Sequence, residues 1–425
     1  MSVTKGLLAD LIARGLIHDS TDQSELAVRL DTSPIGVYVG FDPTADSLHV
    51  GHLLGQITLR RFQLSGHRPF PLAGGATGMV GDPSGKSEER NLLDAETLRH
   101  NVECIKTQLE RLLDFGSGAN AATLVNNADW TAGITALDFL RDVGKHVTVN
   151  QMMAKESVKN RLNSENGLSY TEFSYMLLQA NDFRHLHASH NVELQMGGSD
   201  QWGNITAGID LIRKTTGAHA FGATWPLVTR SDGQKFGKTA EGAVWLDPTR
   251  TTPYQFRQFW MQVPDDFAVR YLPQYSLASI DDVHEVCDQH RADPGRRLAQ
   301  RRLADEMTTL VHGVAAAQIA ATAAEILFGG DPLGADTAAL EVVAAEVPNA
   351  TVSAGSLGDP VGTLQRAGVF TSTSEARRTI AQKGVRVNGR VLAEGESLDA
   401  AGLLHNQWIL VRKGKTAYHL LSVSS

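Results

Sequence analysis

Residues 35–52 read IGVYVGFDPTADSLHVGH, and this stretch decides the fold. Its seven apolar first residues predict a buried strand, and the pattern from about Ser47 to Leu64 predicts a helix after it. Strands predicted at 68–73 and 122–126, with a helical pattern at 92–113 between them, repeat this order. Alternating strands and helices predict an α/β domain with a parallel sheet. Ligands bind such sheets at the carboxyl ends of the strands, where this chain places its unusual residues.

The bulk composition is that of an ordinary globular protein. The chain has 425 residues, 42% of them hydrophobic and 20% charged, which is enough for two or three domains. Its two cysteines, Cys104 and Cys287, exclude a disulfide framework and predict a reducing cytoplasm. The N-terminal residues lack the pattern of a signal peptide, and no apolar run approaches the roughly 18 residues of a membrane span.

Charge is unevenly distributed along the chain. The net charge is −8, but residues 361–425 contain nine Lys or Arg and four acidic residues, so this segment carries +5 and the rest −13. Such asymmetry indicates either a surface for a polyanion or a solvated charged surface.

The sequence also predicts domain boundaries. Residues 1–252 are expected to form the α/β domain and 253–348 a helical domain, in which 297–328 reads as one helix. The small residues of 349–360, NATVSAGSLGDP, predict a linker. Residues 361–425 are then a compact module with a hairpin turn at 387–390.

Two histidines, His49 and His52, stand at i and i+3 where the first strand gives way to the helix. With Asp46 or Ser47 as the helix cap, the first-turn amides and both imidazoles would face an anion such as phosphate. Gly51 between them lets a flat base or a ribose approach the backbone. A metal-binding pair and a surface pair are the alternatives for this motif taken alone.

A glycine-rich segment at 74–86, GGATGMVGDPSGK, resembles a phosphate-binding P-loop but lacks its pattern, because Val80 replaces a required glycine. Asp82 could instead accept an ammonium group, and Lys86 and Arg90 could bind anions. A surface loop is the alternative.

A basic loop, KFGKT at 235–239, has lysines on both sides of Gly237. Such a loop could close on a departing pyrophosphate, and a basic surface loop is again the alternative.

A polar stripe crosses the helix predicted around 170–183. Tyr175, Gln179 and Asp182 share one face of that helix, and burying them unpaired would be costly, so they face either a polar ligand or solvent. Asp200, after a Gly-Gly turn, suits ribose hydroxyls or caps a helix.

The order of these motifs resembles the class I aminoacyl-tRNA synthetases, with 49–52 in the place of their HIGH motif and 235–239 in that of their KMSKS motif. Within that family the chain is similar to bacterial tyrosyl-tRNA synthetases over essentially its whole length. The supporting stretches are YVGFDPTADSLH at 38–49, GDPSGK at 81–86, NNADW at 126–130, QMGGSDQ at 195–201 and KFGKT. Residues 361–425 more weakly resemble an S-four-type RNA-binding fold.

The resemblance implies a Rossmann-like catalytic domain, a helical domain and a small α+β RNA-binding domain, and it implies roles for individual residues. Tyrosine would be bound at its hydroxyl by Tyr38 and Asp182, at its ammonium group by Asp82, Tyr175 and Gln179, and by Gln195 as a lining residue. The nucleotide and the tyrosyl carboxyl would be contacted by Gly40, Asp42, Gly51, Gly198, Asp200 and Gln201. The ATP phosphates would be stabilised by Thr44, His49 and His52 on the fixed side and by Lys86, Arg90, Lys235, Lys238 and Thr239 on the mobile side. The tRNA would be contacted by Lys155, Arg213, Lys214, Arg377 and Arg378.

The activity implied is that of a ligase which activates L-tyrosine with ATP and transfers it to the 3′ end of tRNA(Tyr). Mg²⁺ would arrive with ATP, with no protein-bound metal, and the expected assembly is a homodimer without a membrane partner. His185, His187 and His190 read as a surface group, because no further ligand completes a metal site. The alternatives are a tryptophanyl-type synthetase, a nucleotidyltransferase without tRNA and a noncatalytic RNA-binding protein.

Overall fold

The computed structural model describes residues 6–84, 93–162, 167–228, 237–239 and 242–424, except for the side chains of Glu156, Ser157, Asn160, Lys238 and Thr239. Contacts divide the chain into two compact units. Unit 1 comprises Met1–Thr251 with Phe259–Val311, and unit 2 comprises Thr252–Gln258 with His312–Ser425.

Unit 1 contains a parallel sheet and a short antiparallel pair of strands. The strands of the sheet are β1 (Gly36–Phe41), β2 (Arg68–Ala73), β3 (Val125–Asn126), β4 (Val192–Gly198) and β5 (Phe221–Trp225), and those of the pair are β6 (Lys238–Thr239) and β7 (Gly242–Ala243). The sheet order is β3-β2-β1-β4-β5, and its neighbouring strands are parallel. The predicted α/β class is confirmed. Strand order reverses between β1 and β4, which is where sheets of this kind bind ligands.

Helices α1–α14 lie in the chain up to His312, and α11 is divided between the two units. They are α1 (Leu7–Ala13), α2 (Gln23–Thr32), α3 (Val50–Leu64), α4 (Ala95–Leu112), α5 (Ala128–Thr131), α6 (Ala136–Asp142), α7 (Val149–Met153), α8 (Glu156–Leu162), α9 (Tyr170–His190), α10 (Trp202–Thr216), α11 (Pro253–Met261), α12 (Asp265–Tyr275), α13 (Ile280–Ala292) and α14 (Leu298–His312). Among the described residues, no helix is both long enough and apolar enough to cross a membrane.

The helix after β1 begins later than predicted. His49, and not Asp46 or Ser47, is its N-cap, and the His49 imidazole accepts from the Gly51 amide. Ser47 is unavailable as a cap because its hydroxyl donates to the Leu48 carbonyl and accepts from Gln108.

Unit 2 contains the second sheet. Its helices are α15 (Val314–Leu327), α16 (Thr337–Glu346), α17 (Pro360–Arg366) and α18 (Thr373–Ala381), and its strands are β8 (Asn349–Ser353), β9 (Val385–Val387), β10 (Arg390–Val391), β11 (Trp408–Lys413) and β12 (Ala417–Ser424). The sheet order is β10-β9-β11-β12-β8. The predicted hairpin turn joins β9 to β10, with Asn388 and Gly389 both at positive φ.

The structure differs from three predictions in this region. The linker expected at 349–360 begins with β8, which pairs in parallel with β12, so residues 349–353 are part of the second sheet. The helix expected at 297–328 is interrupted at Gly313, which lies between α14 and α15. Its φ of 86° is not that of a right-handed helix. The helical domain expected at 253–348 is likewise divided between the two units.

Candidate functional site

A buried polar pocket lies at the carboxyl side of the sheet, beside β1. The Tyr38 side chain is 1% exposed, and its hydroxyl accepts a hydrogen bond of 2.8 Å from Gln195 Nε2 on the neighbouring β4. Gln195 Oε1 is buried and has no hydrogen-bond partner among the described residues. A buried acceptor of this kind is available for a hydrogen bond from a ligand or a water molecule.

Asp182 is held in place by two residues that the sequence reasoning did not assign to the site. Asn127 Nδ2 donates to Oδ2 at 3.0 Å, and Trp130 Nε1 donates to Oδ1 at 2.8 Å. The carboxyl is buried, so these donors replace the water it has lost. Both donors belong to the NNADW stretch after β3, which drew notice only as part of the resemblance.

The second carboxylate of this cluster is Asp42, which is half-buried. It accepts from the Tyr175 hydroxyl at 3.0 Å and from Thr77 Oγ1 at 3.1 Å. Thr77 in turn accepts from Asn127, so the networks around the two aspartates are joined. A Cβ added to Gly74 would come within 2.4 Å of the Asp42 carboxylate, which explains a glycine at that position.

Gln201 connects the remaining predicted tyrosine-binding residues. Its Nε2 donates to Asp82 Oδ2 at 2.7 Å, and its Oε1 accepts from Gln179 and from Asn204, each at 3.2 Å. Asn204 also donates to Gln179 Oε1 at 2.9 Å. Asn204 is a further residue missed from the sequence; its position three residues after the end of the quoted QMGGSDQ stretch was the only available signal.

Burial controls the ionisation of these groups. It raises the pKa of the Asp182 carboxyl to about 7, since the donors Asn127 and Trp130 only partly offset the loss of solvent and the charge of Asp42 acts in the same direction as burial. Burial also raises the pKa of Tyr38 and of Tyr175, and the neighbouring aspartates add to both shifts. Both phenols therefore keep their protons at neutral pH and can donate hydrogen bonds.

The two histidine rings, of His49 and His52, are held by hydrogen bonds at the start of α3. His49 Nδ1 accepts from the Gly51 amide at 3.0 Å, and His52 Nδ1 accepts from the His49 amide at 3.3 Å. The rings are stacked, with centroids 4.0 Å apart. Because both Nδ1 atoms accept, each neutral ring carries its proton on Nε2, which makes Nε2 the donor nitrogen.

The other residues predicted to contact ATP fall at the carboxyl ends of β1 and β4. Gly40 is exposed in β1, and exposed Thr44 follows Asp42, to whose carbonyl its amide donates. Gly198 ends β4, and a Cβ there would come within 2.8 Å of the Asp200 carboxylate. This close approach favours glycine at 198.

The described residues cover the predicted mobile side only in part. Lys86, Arg90 and Lys235 lie outside the described residues. Lys238 and Thr239 form β6, and their side chains are outside the described part of the structure. Among the described residues, no group of three or more His, Cys, Asp or Glu could hold a metal ion.

The predicted RNA-contacting residues are placed as follows. Lys155 Nζ donates to Thr206 at 2.9 Å, and Lys214 Nζ donates to the His146 carbonyl at 2.8 Å. Arg213 is paired with Asp210. In unit 2, Arg377 and Arg378 of α18 line an open depression of about 460 Å³.

The raised pKa of Asp182 predicts a dependence of stability on pH. Between an unfolded pKa near 3.8 and a folded pKa of about 7, the folded carboxyl keeps a proton that the unfolded one loses, so stability falls as pH rises through this window. The loss should approach about 4 kcal/mol in free energy of unfolding. Asp182→Asn should remove this dependence of stability on pH. It should also lower the free energy of unfolding by the same amount at every pH, because the new amide NH₂ would face one of the two hydrogen-bond donors. Denaturant unfolding from pH 4.5 to 8 measures both chains, and parallel curves would contradict the assignment.

The comparisons with known proteins agree with this geometry. The family model described as tRNA synthetases class I (W and Y) matches residues 30–329, and that of the tyrosine–tRNA ligase SYY-like C-terminal domain matches residues 339–421. The tyrosine–tRNA ligase of Opitutus terrae is 50% identical over 98% of this chain and 99% of its own length. That of Roseiflexus castenholzii is 49% identical, again over 98% and 99%.

The solved structures agree. A C-terminally truncated mitochondrial tyrosyl-tRNA synthetase from Aspergillus nidulans has a TM-score of 0.70 and 31% identity, covering 76% of this chain and 94% of its own. A Plasmodium falciparum tryptophanyl-tRNA synthetase has a TM-score of 0.52 and 17% identity over 73% of this chain and 84% of its own, so it shares the fold alone. The predicted family is confirmed: the chain belongs to the tyrosine–tRNA ligases, within the class I aminoacyl-tRNA synthetases.

Proposed function

We propose that the pocket beside β1 binds L-tyrosine, and that the chain activates it with ATP and transfers it to the 3′ end of tRNA(Tyr). The observation that carries this proposal is the burial of Tyr38 and Asp182 in one polar pocket. A protonated phenol and a carboxyl can exchange hydrogen bonds with a substrate hydroxyl. Tryptophan has no hydroxyl there and could not make the hydrogen bonds that these two groups offer to a substrate hydroxyl, which is costly.

The amino end of tyrosine would lie at the second half of the network. Asp82, Tyr175 and Gln179 supply oxygens for the ammonium group, and Gln201 already bridges Asp82 and Gln179. An ammonium group makes three donors available, which matches this cluster of acceptors. Gln201 would then turn its amide to the tyrosyl carboxyl. Hydrogen bonds present without substrate keep these side chains near the positions that binding requires.

ATP would lie across the carboxyl ends of β1 and β4. Gly40, Asp42, Gly51 and Gly198 would shape the nucleotide site, and Asp200 would accept from ribose hydroxyls. Thr44, His49 and His52 would donate to phosphate oxygens, a role supported by the proton that each imidazole carries on Nε2. The cationic residues Lys86, Arg90, Lys235 and Lys238, together with Thr239, would bind the same phosphates.

The first step needs no catalytic base. The tyrosine carboxylate is already a nucleophile: one of its oxygens bonds to the α-phosphorus while the bond to the pyrophosphate oxygen breaks, and pyrophosphate leaves with the electron pair. The enzyme must align the attacking oxygen and stabilise charge on the leaving group. Mg²⁺ would arrive on the ATP phosphates and offset part of that charge.

Transfer to tRNA would use both units. Lys155, Arg213 and Lys214 are proposed to contact the acceptor arm, and exposed Arg377 and Arg378 to contact the RNA through unit 2. Guanidinium groups at the edge of an open depression suit phosphate recognition. These arginines also belong to the segment whose net charge is +5, which supports a polyanionic partner.

We further propose a homodimer in the cytoplasm. Apolar side chains are exposed in α6 and α7, namely Leu137, Leu140, Val149 and Met153, with Leu137 79% exposed. Four exposed apolar side chains on two consecutive helices support an interface there. Cys104 and Cys287 are both free thiols, which suits a reducing compartment.

Amino-acid-dependent exchange of labelled pyrophosphate into ATP tests the proposed substrate. We expect exchange with tyrosine and little with tryptophan or phenylalanine, because only tyrosine satisfies Tyr38 and Asp182. Charging of tRNA(Tyr) with labelled tyrosine then tests the second step. Exchange with tryptophan but not tyrosine would contradict the proposal, and exchange without charging would favour a nucleotidyltransferase.

His52→Ala should slow formation of the adenylate by about two to three orders of magnitude, because one donor to the transition-state phosphates is lost. Tyrosine affinity should change little, since the histidines lie outside the tyrosine pocket. Single-turnover adenylation and equilibrium tyrosine binding separate these effects. His219→Ala is a matched control, because His219 is exposed and precedes β5, which is an edge strand of the sheet. An unchanged adenylation rate would contradict the role of His52.

A further inference from the structure

We propose that Trp245 and Arg250 are positioning residues for His49, and that they join the end of the basic loop at 235–239 to the start of α3. This inference rests on the proposed role of His49 at the phosphates. It adds two residues, from a segment in which sequence analysis found no motif.

The backbone makes the first connection. The segment after the basic loop runs beside the residues that precede α3, with an antiparallel bridge between His49 and Trp245. The Val50 amide donates to the Val244 carbonyl at 3.0 Å, and the Leu246 amide donates to the Leu48 carbonyl at 2.8 Å. Residues 244–246 therefore pair with residues 48–50 as a short antiparallel strand would.

The basic loop at 235–239 also contacts the start of α3, through Gly237. The Val244 amide donates to the Gly237 carbonyl at 2.8 Å. Gly237 has a φ of 88°, and a Cβ built there would come within 2.5 Å of Val50 Cγ2. A side chain at 237 could be accommodated only by moving the loop away from α3. The described part of the basic loop is thus packed directly on the first residue of the helix that His49 caps.

Side chains make the second connection. The ring of Trp245 meets the His49 imidazole edge-on, with centroids 6.1 Å apart and planes at 62°. The Arg250 guanidinium lies over Trp245, 4.1 Å from the ring centroid. Arg250 also forms an ion pair of 2.7 Å with Asp46, which belongs to the loop leading to His49. The Trp245 ring is therefore held between a cation and an imidazole.

These contacts restrict the orientation of the His49 ring from three directions. The Gly51 amide on Nδ1 sets its rotation, His52 covers one side at 4.0 Å, and Trp245 bounds another. A donor to a transition state is effective only when it is already in place, because displacements of about 1 Å can cost two orders of magnitude in rate. Trp245 and Arg250 accordingly act through His49 and need not touch the substrate.

A double-mutant cycle tests the coupling. Trp245→Leu should slow single-turnover adenylation by about tenfold or more without changing the tyrosine dissociation constant. Combined with His49→Ala it should add almost nothing, because the residue it positions is then missing. The milder Arg250→Met should slow adenylation by about two- to fivefold and be silent in the His49→Ala background. Arg68→Met is the matched control, since it removes a guanidinium from the ring of Phe70, at the start of β2.

The outcomes are distinguishable. The inference would be overturned if the rate reductions of the two single substitutions multiplied in a double variant. It would also be overturned if Trp245→Leu kept the full adenylation rate while His49→Ala was slow. The proposed role of His49 would survive both results. An unchanged rate in His49→Ala would show that the role of His49 is wrong, and the inference would fall with it. Thermal unfolding of each variant identifies any general loss of folding, in which case Arg250→Met decides the question.

Discussion

The burial of the Asp182 carboxyl is the constraint on which the rest of the site depends. A carboxyl removed from water costs several kcal/mol unless other groups replace its hydrogen bonds. Asn127 and Trp130 provide them, and Asn127 also contacts Thr77, which donates to Asp42. The chain after β3, the loop after β1 and the face of α9 are thus required to meet at one point. We propose that the same requirement creates a site in which a substrate hydroxyl is distinguished from a hydrogen atom.

Much of the fold followed from periodicity in the sequence, for a physical reason. Buried strands such as β1 have almost every side chain in the core, so their apolar runs are unmistakable, and β2 has the predicted bounds. The start of α3 was misplaced because histidine is a rare cap, and only the structure shows Ser47 engaged with Gln108. The strand β8 reads as a linker because its residues are small and mostly exposed, and its pairing with β12 is a long-range contact.

The site shows the same division. Tyr175, Gln179 and Asp182 could be found because one helix carries them at regular spacing. Asn127, Trp130 and Asn204 come from other segments, and nothing local marks them as partners of that helix. Trp245 and Arg250 could not be recognised from the sequence either, because an aromatic residue and an arginine five positions apart form no motif. Their relation to His49 is visible only in the structure, where the backbone places them beside it. Sequence motifs thus identify the groups that meet the substrate more readily than those that hold such groups in place.

The central claim is that Tyr38 and Asp182 select a hydroxyl, and the affinities for tyrosine and phenylalanine test it most directly. Both dissociation constants should be measured by equilibrium titration for the original chain and for Tyr38→Phe. The account predicts that Tyr38→Phe reduces the preference for tyrosine over phenylalanine by about ten- to a hundredfold, since a buried hydrogen-bond partner is worth about 1–3 kcal/mol. The adenylation site at His49 and His52 should remain intact. An unchanged ratio of the two dissociation constants would contradict the account.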